Sequence, residues 1–106
     1  MSYEYIYLYK MNKHFIIEQL KKIKPVLTKK YGVTELALFG SYSRNEETEK
    51  SDIDILVNYS HPMGMKFFDI VYELEDVFKE KSVQIVSQKG IKPIYFERIK
   101  PDLIYA

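Results

Sequence analysis

Leu36-Ala37-Leu38-Phe39-Gly40-Ser41-Tyr42-Ser43-Arg44, followed after a polar stretch by Ser51-Asp52-Ile53-Asp54-Ile55-Leu56-Val57, are the segments on which the fold turns. The first begins within a run of strand length, Val33 to Phe39, that ends at Gly40-Ser41. The second opens a strand over 52–59 whose Asp-Ile-Asp-Ile alternation gives it one acidic and one apolar face.

Outward from this pair, the periodicity changes. From Asn12 to Tyr31 the apolar residues Ile16, Leu20, Ile23 and Leu27 step by four, three and four, which predicts an amphipathic helix ended by Gly32. Pro25 is expected to kink that helix or to start a second, shorter one. After a turn at His61-Pro62-Met63-Gly64, Phe67, Val71, Leu74 and Phe78 repeat the helical spacing, so residues 65–80 form a second helix. Val83 to Val86 reads as a third strand, 92–99 as a short helix and Asp102 to Tyr105 as a terminal extended piece. Helix, strand, strand, helix, strand, helix is an α+β domain, a small mixed sheet flanked by helices.

Residues 11–106 make up this domain. Residues 1–10 precede it with Tyr at 3, 5, 7 and 9, a period of two. They are an edge strand, a pairing arm or a loose tail. The tyrosines offer contact area to a partner protein or to a second copy in a homodimer.

Composition narrows the classes of function. A chain of 106 residues, 46% hydrophobic and 29% charged, has room for one core and one domain. With no cysteine there is no disulfide, thiolate ligand or Cys nucleophile, and the expected compartment is the reducing cytoplasm. Sixteen basic against 15 acidic residues argue against a broad nucleic-acid-binding surface. No apolar stretch has the length of a membrane span, and the N-terminus lacks a secretory pattern. Lys21, Lys22, Lys24, Lys29 and Lys30 read as the solvated side of the first helix, and His14 and His61 as isolated surface residues.

The chemistry sits in the two opening segments. Alternation on a strand puts Asp52 and Asp54 on one face, roughly 6–7 Å apart. Two carboxylates with no adjacent base repel, and a divalent cation relieves the repulsion; Mg²⁺, shared with substrate phosphate, is the leading candidate. Gly40-Ser41 lies where a strand ends and a helical turn can begin, a corner suited to phosphate, and Gly40 lets phosphate approach the backbone. Taken singly, Gly-Ser is an ordinary turn and Asp-x-Asp a solvated strand end; their order and spacing carry the weight. A calcium loop fails because its third ligand would fall on Leu56, and neither a Walker loop nor a nucleophile elbow is present.

These residues resemble the signature of the minimal nucleotidyltransferases of the DNA polymerase beta superfamily, the MNT type that pairs with HEPN proteins in toxin–antitoxin modules. The resemblance extends over about residues 12–105. It implies a small mixed sheet flanked by helices, Mg²⁺ on Asp52 and Asp54, and the phosphates of an NTP, ATP in the first instance, at Gly40 and Ser41. It also implies transfer of a nucleoside monophosphate to a hydroxyl, in proteins of this size a tyrosine of the HEPN toxin. Arg44 fits the family's basic residue and would steady the triphosphate; the plainer alternative is a surface cation near Glu46 and Glu47.

The chain departs from the pattern at one position. Where the family has a third carboxylate, in a Val-Asp-Leu-Val-like run, this sequence has Val83-Gln84-Ile85-Val86. Gln84 neither accepts a proton nor adds charge, so the metal site is expected to be incomplete and catalysis impaired, a lost general base alone costing about 10²–10⁴-fold. Asp69, Glu73 and Asp76 lie on the second helix, where such residues ordinarily form the solvated side. Two functions follow: a slow nucleotidyltransferase acting on a protein partner, or an antitoxin-like binding subunit that acts by complex formation.

Overall fold

The structure is a computed structural model and describes residues 11–79 and 81–106. The expectations for residues 1–10 lie outside the described residues. Helix α1 (Lys13–Tyr31) leads into β1 (Val33–Phe39), β2 (Ile53–Tyr59), α2 (Lys66–Val77), β3 (Val83–Ser87), α3 (Pro93–Ile99), a 3₁₀ turn (Lys100–Asp102) and the short β4 (Ile104–Tyr105).

α1 starts where the Asn12 side chain accepts the Phe15 N–H at 2.9 Å, meeting one of the orphan donors of the first turn. It stops at Gly32, whose φ of 75° is left-handed and whose N–H returns to the carbonyls of Leu27 and Thr28. Pro25 does not begin a second helix, the alternative the sequence left open: α1 runs through it for 19 residues. The physical reason is position. Pro25 is exposed, so the carbonyl that loses its N–H partner faces water, while buried Leu20 and Leu27 hold the helix down on either side.

The sheet has the order β3-β2-β1-β4, antiparallel between β1 and each of its neighbours and parallel between β2 and β3. The parallel pair requires a crossover, which α2 supplies. Alternation then sorts the strand residues onto two faces. Leu36, Leu38, Ile53, Ile55 and Val57 join Ile16, Leu20 and Leu27 of α1 and Ile70 and Leu74 of α2 in the main core. Burying each such side chain stabilises the fold by about 1.5–3 kcal/mol.

Ala37, Phe39 and Leu56 point to the other face and pack with Ile99 in a smaller cluster, beneath Phe96 and Leu103. One side of the sheet is therefore covered by two helices, and the other only over its middle by α3 and the C-terminal turn. One end of that second face carries Asp54, which is half-buried. The extended C-terminal piece expected from the sequence is β4 alone, pairing Ile104 with Leu38 and Tyr105 with Ala37.

Candidate active site

Asp54 is a β2 residue whose register partners are Phe39 of β1 on one side and Gln84 of β3 on the other. Phe39 is followed by Gly40, so the strand pairing alone brings the end of β1, the acidic strand and the Gln84 position to one edge of the sheet. Asp52 lies just ahead of β2, and its Oδ2 accepts a 3.2 Å hydrogen bond from Gln84 Nε2. Ile53 and Ile55 go into the core on the opposite face. Asp52, Asp54 and Gln84 thus share one face of the sheet, and the two isoleucines take the other.

The Gly40 backbone comes up against the Asp54 carboxylate. A Cβ on Gly40 would lie 2.1 Å from Asp54 Oδ2, and Gly40 has a φ of 78°. No side-chain-bearing residue fits there: it would be strained in backbone and would displace the carboxylate. Beyond Gly40 the chain makes a single turn, with the Arg44 N–H on the carbonyls of Gly40 and Ser41 and the Glu46 N–H on Ser41. Asn45, at φ 57°, ends it. Tyr42 is buried, with Lys81 Nζ 5.8 Å from its ring centre. Lys81 also donates to the Glu49 carbonyl at 2.9 Å, tying the polar stretch to the start of β3.

Burial and the nearby Asp52 charge push the Asp54 carboxyl above its ordinary pKa, while Arg44 opposes the shift. A carboxylate pair in this condition is suited to a divalent cation, whose charge offsets both effects. Asp52 and Asp54 would hold it; among the described residues no group of three or more His, Cys, Asp and Glu side chains comes together. Asp69, Glu73 and Asp76 belong to α2, which packs over the other face of the sheet, and Glu73 is paired there with Lys30 at 3.2 Å. They lie away from Asp52 and Asp54.

Arg44 has partners the sequence announced only in part. Its Nε meets Glu46 at 3.2 Å, the neighbour expected from the local run, but Nη1 meets Asp102 at 2.6 Å. Ser43 Oγ donates to the backbone carbonyl of the same Asp102. No spacing or motif points to a contact across 58 residues, which the pairing of β4 with β1 creates.

The nucleotidyltransferase domain family matches residues 20–104. A candidate protein adenylyltransferase of Methanocaldococcus jannaschii, MJ0128, is 49% identical over 88 residues, 81% of this chain and 89% of its own length. The protein adenylyltransferase MntA of Thermococcus cleftensis is 31% identical over 94 residues, covering 84% of this chain and 94% of its own. Among solved structures, one described as a candidate minimal nucleotidyltransferase superposes with a TM-score of 0.74 at 24% identity, over 89% of this chain and 95% of its own. A mutant form of the toxin–antitoxin pair MntA–HpeT gives a TM-score of 0.63 at 19% identity, over 90% of this chain and 72% of its own. These two likenesses establish the fold. No helix among the described residues is long and apolar enough to cross a membrane.

Proposed function

This chain belongs to the nucleotidyltransferase domain family, and from that premise we propose that it transfers a nucleoside monophosphate from Mg-ATP to a tyrosine hydroxyl of a HEPN-type protein partner. The observation that carries the proposal is the contact of the Asp54 carboxylate with Gly40, with Asp52 and Gln84 alongside. An acidic pair and a phosphate corner then serve one substrate. The adenylyltransferase relatives and the MntA–HpeT neighbour favour a protein acceptor.

In the proposed reaction the acceptor oxygen forms a bond to the α-phosphorus, the bond from that phosphorus to the bridging oxygen breaks, and pyrophosphate leaves. Asp52 and Asp54 would hold Mg²⁺, which when bound supplies charge neutralisation at the phosphates. Gly40 and Ser41 receive the phosphates, with Arg44 beside them. Gln84 occupies the position of the missing carboxylate and takes no proton, so the phenol proton passes to water and the reaction is slow.

The Gln84–Asp52 hydrogen bond favours a second reading, a binding subunit that retains the nucleotide site and acts by complex formation. Incubation of the protein and its HEPN partner with α-labelled ATP and Mg²⁺ tests both. Label on a partner tyrosine, lost in D52N and D54N, supports transfer. Binding of Mg-ATP without label supports the subunit reading, and absence of Mg-ATP binding overturns both.

A further inference from the structure

Arg44 is held from two sides. Glu46 is its local neighbour, two residues away and 64% exposed, and such a surface pair contributes little to position. Asp102 is different: its side chain is 22% exposed and meets Arg44 at 2.6 Å. Its own backbone carbonyl accepts from Ser43, so a single residue grips the loop at two successive positions. The grip is itself anchored. Asp102 ends the 3₁₀ turn between Ile99 and Leu103, both packed in the smaller core cluster, and two residues later β4 pairs with β1. Strand β1 leads straight into Gly40, so the clamp and the phosphate corner share one rigid support.

Two of the guanidinium's donor groups are used on carboxylates, and the planar fork leaves others to point elsewhere. The backbone N–H of Arg44 meets the Gly40 carbonyl at 3.2 Å, which keeps the residue within one turn of the corner. We propose that Asp102 is a positioning residue that fixes the Arg44 guanidinium at the Gly40–Asp54 corner for the outer phosphates of the nucleotide, so that the site favours a triphosphate over a monophosphate. This rests on the nucleotide reading above. Asp102 touches no substrate; it acts through Arg44.

Competition against a fluorescent ATP analogue, with Mg²⁺, tests it on the full chain. In D102N, ATP affinity is expected to fall about tenfold, the loss typical of one misplaced charge-assisted contact, while AMP affinity stays as in the wild type. D102E should restore most of the ATP affinity. R44Q should lose as much as D102N, and the R44Q/D102N double variant no more than either. Should D102N not fold in a thermal melt, D102S carries the same expectation. Equal losses for ATP and AMP, additive losses in the double variant, or a wild-type ATP-to-AMP ratio in D102N overturn the inference alone. A wild-type protein that binds no ATP overturns the nucleotide reading, and this inference with it.

Discussion

Gln84 Nε2 donates to Asp52 Oδ2 at 3.2 Å, so an amide side chain is hydrogen-bonded to one of the two carboxylates at this edge of the sheet. An amide there satisfies Asp52 without adding charge. The register partner of Gln84 is Asp54, so a carboxylate at position 84 would face the same pair.

Gln84→Asp restores an acid at the edge of the site. Transfer of label to the partner is expected to rise by about 10²–10⁴-fold, the usual contribution of a general base. Steady-state rates of the two proteins, compared at saturating Mg-ATP, check this. A rate in Q84D no higher than in the wild type would show that position 84 is not where proton transfer is limited.

The pH profile distinguishes the two proteins further. With no protein base for the phenol, the wild-type rate should climb about tenfold per unit of pH below the tyrosine pKa near 10. In Q84D the profile should flatten once the new carboxylate has ionised. Initial rates between pH 6 and 9 give both slopes.

Gly40→Ala places a methyl group where Asp54 Oδ2 now lies, 2.1 Å from the added carbon, on a backbone with φ of 78°. The left-handed backbone alone should cost about 1–3 kcal/mol, read from urea unfolding. Mg-ATP binding, followed by calorimetry, should fall with it because the carboxylate must move away from the corner.

Asp54→Asn tests the electrostatics of the pair. The Asp54 carboxyl is raised in the folded state above its ordinary 3.8, first by burial and then by Asp52. Over the window between those two pKa values the native state therefore binds more protons than the unfolded chain. Stability falls as pH rises through that window, and the ionised group opposes folding at neutral pH. D54N should raise the melting temperature at pH 7, with the advantage vanishing below the unfolded value. Mg²⁺ should stabilise the wild type and have little effect on D54N.

The residues that expressed a period were legible before any coordinates. Ile16, Leu20 and Leu27 on one helix and Ile53 and Ile55 on one strand are buried as their spacing requires, because burial is a one-dimensional signal when the element is regular. The second helix that Pro25 allowed does not form, because Pro25 is exposed while Leu20 and Leu27 on either side of it are buried in the core. Glu46 beside Arg44 was visible as a local charge pair, whereas Asp102 was not.

The helices and strands, the shared face of Asp52 and Asp54, the glycine-serine corner and the amide at 84 could be read from the chain alone, since each depends on side-chain type and on spacing along one element. That Gly40 lies against Asp54, that Gln84 donates to Asp52 and that Asp102 pairs with Arg44 became visible in the folded chain. Those contacts depend on strand register and on β4 returning beside β1. Register is fixed by the packing of both sheet faces at once, a property of the assembled core that no single segment carries.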